Sequence, residues 1–215
     1  MVTAWTDLLL ILIALTNLAM TGLSSLGTCI RVMAIQGVML GFVTVGVRHD
    51  AVSAHIVILV VGVMIIKGVV FPRLLLRGVR EANVRREVEP FIGFTMSLLI
   101  GTLGLPAAIW LGSRLPAIDP AVSPLVVPVA FHAILIGLFL IVSRKKAVTQ
   151  VLGYLGLENG IYIFGIALVK EATILIDLGV LLDIFVAVFV MGIAIFHISR
   201  EFDHIDTDRL STLKE

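Results

Sequence analysis

The stretch VLGYLGLENGIYIFGIAL at residues 151–168 is apolar enough to cross a membrane, yet it carries one carboxylate, Glu158, in its middle. A membrane-spanning helix needs about 20 mostly apolar residues and rises about 1.5 Å per residue. Glu158 would lie roughly 16 Å into the helix, near its centre. A charge facing lipid there would cost about 2.5–3.5 kcal/mol, so we expect the carboxylate to face protein or water. Glycines recur around it, at 153, 156 and 160, and predict a closely packed neighbouring helix.

The composition of the whole chain indicates an integral membrane protein. Of its 215 residues, 59% are hydrophobic and 14% are charged, whereas soluble domains are about half apolar and about a quarter charged. The net charge of +1 gives no electrostatic basis for binding nucleic acid. A single cysteine, Cys29, excludes an internal disulfide framework and any cysteine-held zinc or iron–sulfur site in this chain.

Apolar stretches along the chain predict an all-α membrane protein with about seven spans. The predicted spans cover residues 5–26, 29–47, 54–76, 90–112, 124–142, 147–169 and 175–198. We expect one transmembrane domain, 1–215, built in three parts. A first three-helix unit with a basic loop covers 1–89, a bridging helix and loop cover 90–122, and a second three-helix unit with a tail covers 123–215.

The basic residues predict the orientation, because Lys and Arg concentrate in cytoplasmic loops. Only Arg48, Arg114 and Lys170 fall on the side that includes the N-terminus. The opposite side holds Arg31, Arg73, Arg77, Arg80, Arg85, Arg86, Arg144, Lys145, Lys146, Arg200, Arg209 and Lys214. The N-terminus is therefore predicted outside and the C-terminus in the cytoplasm. The arginine-rich stretch 73–86 also suits anionic lipid headgroups or an acidic partner, although the orientation rule alone explains it.

An internal repeat is visible when the chain is offset by 119 residues. Gly37 then aligns with Gly156, Gly41 with Gly160, and Gly46 with Gly165. The same offset superposes spans 1–3 on spans 5–7, and span 4 between them would give both units the same orientation. Three matches in a chain with 19 glycines leave a parallel duplication, of the kind found in transporters, as an open prediction.

Ionisable residues inside predicted spans are the candidate functional residues, since such groups usually mark proton or ion pathways. They are Lys67, His132, Glu158, Asp177 and Asp183. Glu158 is interpreted as a proton relay or as a neutral, hydrogen-bonded contact between helices. Lys67 is a proton carrier, a counter-ion of a carboxylate, or half of a static salt bridge. His132 is equally compatible with packing and with a switch.

The two aspartates are expected to differ in role. Six residues separate them, which is about 600° of helical rotation, so they lie on different faces. Asp183 is the better relay candidate, and Asp177 is predicted near the outer end of the span. The chain contains no phosphate-binding loop, dinucleotide fingerprint, HExxH motif or nucleophile elbow, so we expect no catalytic centre, cofactor or metal site in this chain.

The last three spans resemble the K-type subunit of respiratory NADH dehydrogenase and the C subunit of multisubunit cation/proton antiporters. The likeness rests on GLENGIYIFGIAL at 156–168, LLDIFVAVFVMGIAIF at 181–196 and the tail HIDTDRLSTLKE at 204–215. The length, span count and duplicated layout resemble the hydrogenase-4 component E family over the whole chain. Its members are membrane subunits of complex-I-like [NiFe] hydrogenases, including assemblies of the formate hydrogenlyase type.

The resemblance assigns roles only to matching positions. K-type subunits carry one carboxylate in a Gly-Leu-Glu step and a second on the last helix. Gly156-Leu157-Glu158 matches the first, and Asp183 stands where the second is expected. In the K-type pattern an asparagine follows about one turn after the glutamate, whereas here Asn159 follows at once; alignment on the asparagine would place the family carboxylate at Leu155.

The resemblance implies a membrane-arm subunit of a membrane-bound hydrogenase in the prokaryotic cytoplasmic membrane. Its carboxylates would belong to a proton pathway coupled to redox chemistry in partner subunits. Those partners would be antiporter-like membrane subunits, a quinone-site-like membrane subunit, and peripheral subunits that hold the Ni–Fe centre and the iron–sulfur clusters. The alternatives are a component of a multisubunit cation/proton antiporter, an independent secondary transporter, and a structural spacer.

Overall fold

The computed structural model describes residues 2–47, 54–81, 88, 90–115 and 123–168, which are almost entirely helical. The helices are α1 Val2–Gly22, α2 Leu26–Val47, α3 Ala54–Ile65, α4 Phe71–Glu81, α5 Phe94–Ser113, α6 Val126–Ser143 and α7 Ala147–Leu168. An isolated β-bridge joins Pro90 to Arg144, and no strand is found among these described residues. The prediction of an all-α chain is confirmed for this part of the protein.

Four of the described helices are long and apolar enough to cross a membrane. They are Ala4–Gly22, Leu26–Val47, Phe94–Ser113 and Val126–Ser143. Several such helices in one chain agree with a membrane protein. The total of seven spans, the orientation and the duplication stay predictions, and the seventh predicted span, 175–198, lies outside the described residues.

The predicted third span, 54–76, contains an irregularity and extends further than expected. A π-helical turn, Ile66–Val70, joins α3 to α4, and the Phe71 N–H donates to the Ile66 carbonyl. Turns of this kind add one residue to the repeat and are often found at functional sites. Helical structure then continues to Glu81, so arginines predicted in a loop lie on α4 instead.

The start of the predicted fourth span was placed too early. Residues 90–112 were expected to be helical, but α5 begins at Phe94. Pro90 forms the bridge with Arg144, and the Phe91 N–H donates to the Ser143 carbonyl at 2.8 Å. This segment therefore uses its backbone groups to bind the end of α6 before the helix starts.

Arg144 contacts α1 and α5 at the same end of the bundle. It is only 1% exposed, and its Nη2 donates to the Thr21 carbonyl at 2.7 Å. Its guanidinium lies 5.5 Å from the centre of the Phe94 ring. Desolvation by burial lowers the pKa of Arg144, so burial of this cation has a cost that the hydrogen bond and the ring contact offset. The ends of α1 and α6 and the beginning of α5 are thereby held together.

The apolar core is divided into two clusters at different heights in the bundle. The lower cluster lies toward the α1–α2 and α6–α7 connections and includes Met20, Ile30, Met33, Leu75, Ile136 and Leu155. The upper cluster lies toward the other end and includes Leu10, Ile13, Leu40, Val63, Ala130 and Ile163. Along each of α1, α2, α6 and α7, the two clusters are separated by a turn or more. Polar residues fill the layer between them.

Backbone contact between α6 and α7 fixes the position of the carboxylate-bearing helix. A Cβ atom added at Gly160 would lie 2.7 Å from the Ile134 backbone nitrogen, and one added at Gly153 would lie 2.9 Å from the Gly137 carbonyl oxygen. These two glycines therefore permit the close approach that their spacing predicts. Gly156 has more room, because its nearest neighbour would be the Met33 Cε at 3.6 Å.

Candidate functional site

A polar layer occupies the space between the two apolar clusters. We define it as Thr16 and Asn17 on α1, Gln36 on α2, Lys67 in the π turn, and Glu158 and Asn159 on α7. On α2, for example, Gln36 stands between Met33 of the lower cluster and Met39 of the upper cluster. The layer is therefore enclosed above and below by apolar side chains.

The centre of the polar layer is an ion pair between Lys67 and Glu158. The Lys67 Nζ lies 2.6 Å from the Glu158 Oε1, and the two side chains are 6% and 4% exposed. The same ammonium also donates to the Asn159 Oδ1 at 3.0 Å. Each charge is thus compensated by the other in a place where an unpaired charge would be very costly. The sequence predicted both residues as buried, and the structure brings them together.

Amide side chains extend the layer from α7 across to α1. The Asn159 Nδ2 donates to the Gln36 Oε1 at 3.2 Å. The Gln36 Nε2 in turn donates to the Asn17 Oδ1 at 2.6 Å, and it lies 3.3 Å from the Thr16 Oγ1. One continuous set of hydrogen bonds therefore connects α1, α2, α7 and the π turn. Thr16, Asn17 and Gln36 are expected from the sequence to form hydrogen bonds across helices, and the structure shows such bonds between α1 and α2.

The backbone around Lys67 accounts for its position. Lys67 belongs to the π turn, and α2 passes very close to it at Gly37. A Cβ atom added at Gly37 would lie 2.5 Å from the Lys67 Cβ. Only glycine allows α2 to approach this turn so closely, and the approach brings Gln36 and Lys67 to the same layer. The apolar sequence around Lys67 carries no signal of a π turn.

The two carboxylate oxygens of Glu158 differ in their hydrogen bonding. Glu158 Oε2 is buried and has no hydrogen-bond partner among the residues that the structure describes. Oε1 is occupied by Lys67, whereas Oε2 retains its lone pairs for a proton or a further donor. This geometry allows the carboxyl group to exchange a proton on one oxygen while the other stays in contact with Lys67.

A small cavity lies next to Lys67 on the side of the lower cluster. Its volume is about 10 Å³, and its walls include Phe71, Leu75, Leu155 and Asn159. This volume is at the lower limit of what one water molecule needs, and a water also needs polar partners, which only Lys67 and Asn159 supply here. The described residues thus leave room there for one water molecule at most.

A further polar contact lies one turn above the ion pair. The Thr44 hydroxyl lies 3.2 Å from the Tyr162 hydroxyl, and both side chains are buried. Tyr162 follows Glu158 by four residues and so shares its face of α7. The contact of Tyr162 with α2 is not predicted from the sequence.

His132 lies apart from the ion pair. It is 1% exposed, and its Nε2 lies 3.2 Å from the Gly101 carbonyl oxygen of α5. Its Nδ1 has no hydrogen-bond partner among the described residues. The structure therefore places His132 in the contact between α5 and α6, rather than in hydrogen-bonding contact with Lys67 or Glu158.

Two of the predicted proton-pathway residues are aspartates near the C-terminal end of the chain. Asp177 and Asp183 lie outside the described residues, so their proposed roles stay predictions. Within the described ranges, no group of three His, Cys, Asp or Glu side chains is arranged to hold a metal ion.

Comparison with known proteins gives matches of three kinds. The family model of the NADH-ubiquinone/plastoquinone oxidoreductase chain 4L matches residues 125–215. The uncharacterized protein Rv0085 of Mycobacterium tuberculosis is 33% identical over 190 residues, which cover 86% of this chain and 85% of that protein. Hydrogenase-4 component E of Escherichia coli (strain K12) is 34% identical over 86 residues, or 40% of each chain. No solved structure matches the chain.

These matches define the class of the protein: it is a membrane subunit of the complex-I-like oxidoreductase kind. The chain belongs to one family with Rv0085 over most of its length and carries a chain 4L-type region, and over 40% of its length it is similar to hydrogenase-4 component E. The matched region begins at residue 125 and so takes in α6, α7 and Glu158, but not Lys67. The central ion pair therefore joins a residue inside the chain 4L-type region to a residue that precedes it.

Proposed function

We propose that this chain is a membrane-arm subunit of a complex-I-like membrane-bound hydrogenase and that the Lys67–Glu158 pair is a station on its proton pathway. The observation that carries the proposal is the closed ion pair, 2.6 Å between Nζ and Oε1, at the centre of the polar layer. The family membership and the 34% identity with hydrogenase-4 component E support the hydrogenase assignment. The prokaryotic cytoplasmic membrane would be the location.

The charge balance of the pair explains how it would couple to chemistry elsewhere. Lys67 and Glu158 together are neutral whether the proton rests on the amine or on the carboxyl group. Uptake of one more proton, or loss of one, leaves a net charge in a poorly solvated layer, which is costly. Such a change becomes favourable only when a neighbouring charge changes at the same time, and redox chemistry in a partner subunit would supply that change.

The rest of the pathway follows from the family resemblance and from position. Asp183 would be the second carboxylate station. His132 would be a further polar position in the same membrane plane, and Asp177 would be one toward its outer side. Antiporter-like membrane subunits and the quinone-site-like subunit would flank this chain. The Ni–Fe centre and the iron–sulfur clusters would belong to peripheral partners, and this chain would act as a non-catalytic subunit.

The first test replaces the carboxylate in the intact assembly. Glu158→Gln keeps the shape of the side chain but removes its acidic group, so proton translocation per redox turnover in membrane vesicles is expected to fall at least tenfold. Glu81→Gln, the same substitution at the end of α4, is the matched control and should leave translocation unchanged. If Glu158→Gln leaves both turnover and translocation intact, the polar layer only holds helices together, and the chain is a spacer.

The second test concerns the assembly. The tagged chain would be isolated in a gentle detergent, its partners identified by mass spectrometry, and its iron content measured. Recovery with antiporter-like subunits and iron–sulfur or Ni–Fe proteins is the expected result. Recovery with antiporter-like subunits alone, without iron, would favour a cation/proton antiporter component, and a stable, iron-free chain by itself would favour an independent transporter.

A further inference from the structure

A cleft of about 290 Å³ opens at the lower end of the bundle, between the beginning of α2 and the end of α4. It lies outside the polar layer and plays no part in the proposed proton pathway. Its walls combine polar residues, which are Ser25, Gly27, Arg31 and Arg80, with apolar residues such as Ile30 and Leu76.

The polar part of the cleft is positively charged. Arg31 stands on the first turns of α2, where its Nε donates to the Gly27 carbonyl at 3.2 Å. Arg80 stands on the opposite wall, on α4, and both arginines are exposed to the space between the helices. Every described residue that lines the cleft is either neutral or basic, so a bound anion would meet no acidic side chain among them.

The beginning of α2 adds to this positive character. The helix starts at Leu26, so the N–H groups of Leu26 and Gly27 have no carbonyl acceptor within the helix. The aligned peptide dipoles also place a partial positive charge at this end. Two arginines and a helix start thus surround the same space, an arrangement that suits an anion with several oxygens.

The apolar part of the cleft indicates which anion would fit. Leu26, Ile30, Leu76 and Val79 line the same space as the arginines, and a small soluble anion would gain nothing from them. The 22 residues of α2 span about 33 Å, so its first turn lies at the level of the lipid headgroups. A phospholipid has both required parts, a charged phosphodiester and acyl chains that begin beside it.

We propose that this cleft binds an anionic phospholipid, with its phosphodiester between Arg31 and Arg80. Its acyl chains then run along Ile30 and Leu76 toward the middle of the bilayer. The predicted cytoplasmic position of this end agrees with the anionic lipids that face the cytoplasm. The lipid covers the contact between the beginning of α2 and the end of α4.

The test measures lipid retention by native mass spectrometry of the full chain, within the assembly with which it purifies. Phosphatidylglycerol and phosphatidylcholine with identical acyl chains are the two probes. Phosphatidylglycerol is expected to be retained preferentially, and Arg31→Gln or Arg80→Gln should each lower its affinity about fivefold, equivalent to about 1 kcal/mol per arginine. Arg80→Lys keeps the charge and should retain most of the affinity.

Arg73→Gln is the matched control, because Arg73 lies on the same helix, two turns from Arg80, and does not line the cleft. An equal loss in Arg73→Gln and Arg80→Gln would overturn the proposal, since it would show attraction to the general surface charge. Unchanged retention in both Gln variants of the cleft would also overturn it. Inorganic phosphate forms the last arm: if phosphate binds at the cleft arginines and no lipid preference exists, the site takes a soluble anion instead.

Discussion

The α2–α7 side and the α5–α6 side of the molecule both bury a titratable side chain, but they stabilise it differently. Lys67 is held by a carboxylate at 2.6 Å and an amide oxygen at 3.0 Å. His132 is held by one backbone carbonyl at 3.2 Å. An ammonium group in this position needs a counter-charge, whereas an imidazole can be neutral and needs only a hydrogen bond. Burial of a titratable group is therefore compatible with two different environments, an ion pair and a single hydrogen bond to the backbone.

The helices around the ion pair and around His132 also differ in how closely they pack. Glu158 and Asn159 lie on α7, which packs through its glycines directly onto the backbone of α6. His132 faces α5, whose buried residues, among those described, are Ser97, Gly101 and Ala108. Most of α5 instead presents large apolar side chains to its surroundings. The ion pair therefore lies beside closely packed backbones, whereas His132 forms its hydrogen bond to a helix with few buried residues among those described.

Removal of the ammonium group is expected to have the largest effect on stability. Lys67→Met leaves Glu158 buried without its counter-ion, and the chain should lose about 3–5 kcal/mol of stability. The double variant Lys67→Met, Glu158→Leu should recover most of this loss, because both charges are gone. Unfolding in nanodiscs measures both values, with Lys145→Met, an exposed position, as the control. A double variant no more stable than Lys67→Met would contradict the interpretation of a compensated pair.

The next effect concerns the packing that positions α7. Gly160→Ala adds a methyl group 2.7 Å from the Ile134 nitrogen, so the helices must separate, at a cost of about 1–3 kcal/mol. Gly156→Ala is the matched control on the same helix, since its added carbon would lie 3.6 Å from the end of the Met33 side chain. Equal losses in the two variants would show that the backbone contact is not what determines the helix separation.

A smaller effect is expected when the amide chain is interrupted. Gln36→Met keeps the length of the side chain but leaves Asn17 and Asn159 without their shared partner, which should cost about 1 kcal/mol. We expect redox turnover of the assembly to persist and proton translocation to weaken only moderately, because the ion pair itself is retained. Stability and translocation measured on the same preparation separate the two effects. A loss of translocation as large as that of Glu158→Gln would place Gln36 in the pathway itself.

The smallest effect is expected at His132. His132→Gln removes the ring but retains a donor for the Gly101 carbonyl. The expected loss of stability is about 0.6 kcal/mol, which is typical of such hydrogen bonds in membranes. If His132 lies on the proton pathway, as proposed from the sequence, translocation per turnover should fall while stability changes little. Unchanged translocation would limit its role to the contact between α5 and α6.

The sequence alone determined the helical membrane class and the bounds of α6 and α7, which start and end within two residues of the predicted spans. It also identified Lys67 and Glu158 as buried groups. Both results follow from a local property, the cost of placing each residue in hydrocarbon, which can be read along the chain. The resemblance to the component E family was likewise present in the sequence, and the comparisons confirm it.

Only the tertiary structure decided which polar groups meet. Lys67 and Glu158 are 91 residues apart, and their contact depends on Gly37, on the π turn and on the packing of α7 against α6. The late start of α5 likewise depends on backbone bonds to the end of α6. Contacts of this kind are set by which helices pack together and at what distance. No local pattern encodes that choice, because the same apolar sequence can pack against many partners.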